Sequence, residues 1–207
     1  MRNKKTLFIT QFAILAAIEA IVCFTPLGSL PIGPIVATLS HIPVILTAIM
    51  LGTRAGACMG ALFGLFSFIV WSFMPPAPPM AFVFTPVYST GDFQGNFWSV
   101  VICFMPRILI GVVAGLTYKL LARSPRVIAY GLSGILGSLV NTVLVLGGIY
   151  VFFGRDFAVV NDVAYSLLLG VIGMSILTNG IPEAILGGLT GYAICAPLKK
   201  ALSRGKT

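Results

Sequence analysis

The sequence predicts an all-α integral membrane protein, a bundle of six transmembrane helices with both termini in the cytoplasm. Three observations carry this. Of the 207 residues, 58% are hydrophobic and 9% charged, against roughly 45–50% apolar and about 25% charged in a soluble domain; the mean hydropathy is +1.04. Six apolar runs follow one another at 7–25, 36–52, 55–74, 98–121, 127–153 and 165–197, each close to or above the roughly 20 residues that a span requires. Lysine and arginine gather in the connections on one side of these runs.

The first run follows Met1-Arg2-Asn3-Lys4-Lys5, as a signal peptide would. No small-residue cleavage site follows it and five further runs do, so it reads as a retained first helix. Pro26, Pro31 and Pro34 separate it from the second run, because proline cannot continue a helix. Gly52-Thr53-Arg54 is a tight turn before the third. Residues 75–97 form a long connection rich in proline and aromatics, Arg123-Ser124-Pro125-Arg126 divides the fourth run from the fifth, and 154–164 reads as a polar loop. The 33 residues of 165–197 would measure about 50 Å as a helix, against a hydrocarbon core of about 30 Å. The expected span is therefore 176–197, preceded by a surface helix or by the upper part of one tilted helix.

Orientation follows from the excess of basic residues on cytoplasmic connections. With the N-terminus inside, Arg2, Lys4, Lys5, Arg54, Lys119, Arg123, Arg126, Lys199, Lys200, Arg204 and Lys206 are cytoplasmic; Arg155, Asp92, Asp156 and Asp162 fall outside. The net charge of +8 is thus a topology signal, and partly a contact with anionic lipid, rather than a nucleic-acid surface. Inner connections are minimal turns. The outer ones at 26–35, 75–97 and 154–164 are longer, which places an expected ligand on the outer face.

Several classes are excluded. The chain has no Walker-type phosphate loop, hence no ATPase of its own. His41 is the single histidine, and Cys23, Cys58, Cys103 and Cys195 have no metal-site spacing and sit in apolar runs as packing residues. No serine stands in a nucleophile motif near His41 and no nucleophile accompanies the glutamates. No catalytic residue, cofactor or metal is expected.

What remains is a set of polar groups inside the spans, where each is costly: Glu19, His41, Arg107, Asn141, Asn179 and Glu183. Asn179 and Glu183 are four apart and share a helix face; Pro182 between them loosens the helix and frees a carbonyl. One reading is an outward-facing pocket in which Arg107 takes a carboxylate, Asn141 and Asn179 supply mixed donors and acceptors, and Glu183 orients Arg107 or accepts a ligand hydroxyl. The other is an Arg107–Glu183 ion pair that locks two helices. His41 is a ligand contact or a satisfied core histidine, and Glu19 reads as packing glue. Small residues recur four apart: Ala13 with Ala17 and Ala16 with Ala20 in the first run, Gly52, Gly56, Gly60 and Gly64 before and along the third, Gly111 and Gly115 in the fourth, Gly187 and Gly191 in the last. Such residues let helices approach closely in lipid, within this bundle or, for the alanines, against a partner.

Phe24-Thr25-Pro26-Leu27-Gly28 with Pro31-Ile32-Gly33-Pro34, Ser40-His41-Ile42-Pro43-Val44-Ile45, Pro106-Arg107-Ile108-Leu109-Ile110-Gly111 and Asn179-Gly180-Ile181-Pro182-Glu183-Ala184 together resemble the substrate-binding S components of energy-coupling factor (ECF) vitamin transporters. The resemblance covers nearly the whole chain and is closest to the pantothenate branch. It implies a single transmembrane substrate-binding domain over 1–207 in a prokaryotic cytoplasmic membrane. It implies a vitamin taken from outside, a separate transmembrane coupling subunit and two cytoplasmic ATPase subunits. It implies that an AxxxA pattern in the first helix, which Ala13 and Ala17 match, faces the coupling subunit. Pantothenate suits the chemistry: its carboxylate for Arg107, its hydroxyls and amide for the asparagines and Glu183, its gem-dimethyl group for Phe84 or Tyr88. A folate, riboflavin or pyridoxine-type ligand remains an alternative, since Phe82, Phe84, Tyr88, Phe93, Phe97 and Trp98 could stack on a ring or form an interfacial belt. So does an autonomous ion-coupled carrier, although the halves show no repeat.

Overall fold

The computed structural model describes residues 4–28, 30–32 and 35–204; Arg2, Gly33, Pro34 and Lys206, used above, lie outside them. α1 spans Lys4–Cys23. A 3-10 turn at Pro26–Gly28 leads into an antiparallel hairpin of β1 (Leu30–Ile32) and β2 (Ile35–Ala37), with Leu30 opposite Ala37. α2 (His41–Leu51) and α3 (Thr53–Phe73) are joined through Gly52, whose φ of 98° suits only glycine. A 3-10 turn at Pro78–Val83 and a short hairpin of β3 (Ser89–Thr90) and β4 (Phe93–Gln94) precede α4 (Phe97–Leu120). α5 (Arg126–Val160), α6 (Tyr165–Ser175), a π-helical turn (Ile176–Gly180) and α7 (Ile181–Arg204) complete the chain.

Among the described residues, five helical runs are long and apolar enough to cross a membrane: α1, α3, α4, α5 and the run Tyr165–Lys199. α2 is too short to qualify. Its 11 residues measure about 16 Å, roughly half the hydrocarbon core. The expected second run began at 36, but 35–37 are spent on the hairpin, so the helix starts at His41. α2 is nonetheless deeply packed, with Val44, Ile45, Ala48 and Ile49 all buried.

One further expectation is corrected, and one left open is decided. Residues 154–164 are not a loop: α5 continues to Val160. Arg155 and Asp156 occupy only the exposed face of that last stretch, while Ile149, Phe153 and Phe157 repeat every four residues on the buried face and carry the helix on. Of the two alternatives for 165–175, the upper part of one helix holds: α6 and α7 form a continuous helical run joined through the π-turn. Pro182 has no N–H to continue the ladder, and the N–H of Ile181 reaches back five residues to the Ile176 carbonyl.

The 75–97 connection folds into the bundle. Met80, Phe82 and Val83 are buried in a cluster with Trp71, Ile149, Phe153, Phe157 and Leu168. Its backbone is satisfied there by side chains: Ser99 Oγ donates to the Phe82 carbonyl at 2.7 Å and accepts from the Asn96 N–H at 2.9 Å, and the Ser72 and Thr85 hydroxyls meet at 2.7 Å. Phe97 and Trp98, at the start of α4, stay exposed. The loop aromatics thus divide into core residues and a pair placed as a belt would be. Of the four cysteines, Cys23, Cys103 and Cys195 are buried packing residues as expected, but Cys58 is exposed.

The glycine stripes are seams inside the bundle. A Cβ on Gly60 would stand 2.2 Å from the Arg107 carbonyl oxygen, and one on Gly111 2.1 Å from that of Gly56. α3 and α4 therefore touch backbone to backbone, and Gly134 against Gly187 does the same for α5 and α7. Gly52 lies outside the stripe, at the α2–α3 joint.

Candidate functional site

One cavity lies among α3, α4, α5, α6, α7 and the 78–84 turn.

Arg107 is its cation, and its placement follows from the residue before it. Pro106 lacks an N–H, so the carbonyl of Ile102 loses the donor that an ordinary helix would offer. The Arg107 guanidinium donates to that carbonyl at 2.8 Å, turning back along α4 into the cavity. It lies 5.3 Å from the ring centre of Phe84 and 5.5 Å from that of Phe63, cation–π distances. Trp71 stacks behind Phe84 with centroids 4.4 Å apart. The side chain is 3% exposed, and Nε has no hydrogen-bond partner.

Across the cavity stands Glu183, in the first turn of α7. One carboxylate oxygen accepts from the backbone N–H of Thr38 at 2.5 Å, the other from the Thr142 hydroxyl at 3.3 Å. Glu183 therefore fastens the connection between β2 and α2 onto α7 and α5. Among the described residues it forms no direct ion pair with Arg107, so an Arg107–Glu183 ion-pair lock is not present. Asn179 reaches the cavity from the π-turn. Gly180, beside it, leaves no room for a side chain against Thr142, whose Cγ2 would lie 2.8 Å from a Cβ. Asn141 is buried on α5 with its carbonyl oxygen unpartnered.

The structure thus brings Arg107, Asn141, Asn179, Glu183 and Phe84 to one cavity and leaves out His41 and Tyr88. His41 opens α2 fully buried, with neither ring nitrogen hydrogen-bonded. Tyr88 packs on the outside of the aromatic cluster. Glu19 is a fully buried packing group that accepts from the Cys23 thiol at 3.2 Å. The lining also includes Thr38, Phe63, Ser67, Trp71, Met80, Thr142 and Ser175, which sequence reasoning missed. A signal existed for some: Phe63, Ser67 and Trp71 are each four apart and share one face of α3. None existed for Thr38 or Met80, whose loops only tertiary folding brings in.

The cavity offers one cation, one carboxylate already bound at both oxygens, amide and hydroxyl groups, and an apolar wall of Phe63, Trp71, Met80, Phe84 and α5 side chains. It suits a small ligand with an anionic end, hydroxyl or amide groups and a compact apolar part.

Residues 7–194 match the family described as ECF transporter, substrate-specific component. The chain is 36% identical over 169 residues to the pantothenic acid transporter PanT of Lactococcus lactis subsp. cremoris, covering 81% of this chain and 80% of that protein. It is 27% identical over 221 aligned positions to the pantothenate transporter PanT of Leuconostoc mesenteroides subsp. mesenteroides, covering 99% and 100%. Among solved structures, the S-component for biotin from an ECF-type ABC transporter matches with a TM-score of 0.52 at 18% identity, over 97% of this chain and 94% of that one. At that identity the likeness is one of fold.

Proposed function

Because this chain belongs to the substrate-specific components of ECF transporters, integral membrane proteins rather than enzymes, we propose that it binds pantothenate from outside and delivers it inward through a separate transmembrane coupling subunit and two cytoplasmic ATPases. The observation that carries the ligand is Arg107: a buried guanidinium lining the cavity, flanked by aromatic rings and in no direct ion pair with Glu183 across it. A ligand carboxylate completes it. Asn141 and Asn179 take the amide and hydroxyls, Glu183 and Thr142 accept or donate at a further hydroxyl, and Phe84 with Trp71 packs the gem-dimethyl group. His41 and Tyr88 support the site from outside it. Both PanT relatives favour this ligand.

In the same reading 1–207 is one domain, α2 is a sixth membrane helix embedded among the longer ones, and both termini are cytoplasmic, as the basic residues at their ends favour. The coupling subunit docks on α1, where Ala13 and Ala17 are exposed while Ala16 and Ala20 are half-buried. The exposure of Ala13 and Ala17 supports the first pair as the docking register.

The test is titration calorimetry on the detergent-purified chain with pantothenate, and with folate, riboflavin, pyridoxine and biotin alongside. Tight one-to-one binding of pantothenate alone is expected. Binding of another vitamin in its place would discard the substrate and keep the class. Uptake that persists in cells without ECF ATPases would instead make the chain an autonomous carrier.

A further inference from the structure

A second polar pocket lies at the basic end of the bundle, remote from the ligand cavity. It holds about 270 Å³ between the end of α4, the 121–125 turn, the start of α5 and the last part of α7. Tyr118, Ser124, Arg126, Tyr130 and Lys199 supply its polar groups. Tyr118 and Tyr130 stack with centroids 5.3 Å apart and planes 8° from parallel. Half-buried Lys199 donates to the Tyr118 hydroxyl at 2.8 Å and stands 4.0 Å from that ring's centre. The aromatic pair thus holds the ammonium in place while using one of its three N–H donors.

Among the described residues no side-chain carboxylate balances this charge. The chain has five side-chain carboxylates. Asp156 lies 30 residues along α5 from Arg126, about 45 Å, and Asp92 and Asp162 sit in turns at that far end. Glu183 lies 16 residues along α7 from Lys199, about 24 Å, and is bonded to Thr38 and Thr142. Glu19 is bonded to Cys23 in α1, which contributes nothing to the pocket. The start of α5 adds to the positive potential, since Pro125 supplies no side-chain cap and the first turn has no acidic residue. Beside the pocket, Leu120, Val127 and Leu198 are exposed, an apolar margin suited to acyl chains.

We propose that this pocket binds the phosphate of an anionic phospholipid, one headgroup per chain. Lys199 and Arg126 neutralise the phosphate, the tyrosine hydroxyls and Ser124 meet its oxygens, and the acyl chains run along the exposed leucines. A half-buried lysine beside an exposed arginine in a pocket between membrane helices is the arrangement expected for such a headgroup.

Native mass spectrometry of the detergent-purified full chain tests this with phosphatidylglycerol, phosphatidylcholine and inorganic phosphate as probes. One phosphatidylglycerol should be retained in preference to phosphatidylcholine. Retention should fall about fivefold in Arg126→Gln and about thirtyfold in Arg126→Gln combined with Lys199→Gln, at roughly 1 kcal/mol per cation, while Arg126→Lys retains it. Pantothenate affinity should be unaltered throughout, since the two pockets share no residue. Equal retention of the two lipids, or retention indifferent to both substitutions, overturns the proposal. Charge-dependent binding of inorganic phosphate without phosphatidylglycerol preference assigns the pocket to a soluble phosphate and overturns the lipid. If the double variant does not fold, the exposed Arg126 decides alone through its Gln and Lys variants.

Discussion

α1 and α4 are both apolar, span-length helices, yet half of the α4 span is buried and only 17% of the α1 span. α4 presses its backbone against α3 through Gly56, Gly60 and Gly111. α1 leans on α2 and α3 through larger side chains, Phe12 and Leu15, with Ala16, and leaves Ala13, Ala17, Ile14 and Ile18 outward. Small residues thus do opposite things in the two helices. In α4 they close a seam that holds the arginine of the ligand cavity. In α1 two of them, Ala13 and Ala17, form a strip left exposed by the described residues. The lesson is a division of labour: a rigid half that fixes ligand geometry, and a loosely attached helix whose exposed face is free to engage another membrane protein.

The largest expected effect breaks the rigid half. Gly60→Leu puts a side chain where the Arg107 carbonyl oxygen stands 2.2 Å from a Cβ. It must part α3 from α4, costing upwards of about 1–3 kcal/mol. We predict a lowered melting temperature and loss of pantothenate binding by calorimetry; wild-type affinity would mean that the seam does not set the site. Arg107→Ala comes next. Removing one partner of a buried charge pair costs about 2–5 kcal/mol, so pantothenate should bind upwards of about thirtyfold more weakly while the fold survives. Panthenol, which has an alcohol in place of the carboxylate, should lose little between wild type and variant. Equal losses for both ligands would show that the arginine does not meet the carboxylate. The smallest effect on binding belongs to α1. Ala13→Trp and Ala17→Trp should leave affinity within about twofold, as expected for exposed substitutions, yet abolish uptake in cells. Ala16→Trp should instead lower stability, because Ala16 packs inward. Normal uptake with tryptophan at 13 and 17 would remove that face from the partner interface.

The residues of the cavity were legible to different depths. Arg107, Asn141, Asn179 and Glu183 stood out because polar groups in hydrocarbon are rare and costly, and Asn179 with Glu183 because four residues make one helical face. The pairing between them was not legible: opposite charges suggested Arg107 with Glu183, whereas the proline-freed carbonyl of Ile102 takes the arginine and Thr38 takes the glutamate. His41 drew notice by its type alone and lies buried beside the cavity rather than in its lining. The aromatic loop was visible as a loop, but nothing local to it says that Phe82 and Phe84 turn inward while Phe97 and Trp98 stay out.

Composition and the spacing of apolar runs by themselves determined a helical membrane protein, the absence of an ATPase motif, the intramembrane polar groups and the loosening of the helix at Pro182. These depend on transfer of residues out of water and on backbone donors, which are properties of each segment alone. Tertiary structure decided the length of α2, the continuation of α5 past residue 154, the π-turn that carries Asn179, the inward fold of 78–84 and the partners of Arg107 and Glu183. Each of these is a competition between backbone or side-chain groups far apart in the chain, settled only when the helices come together.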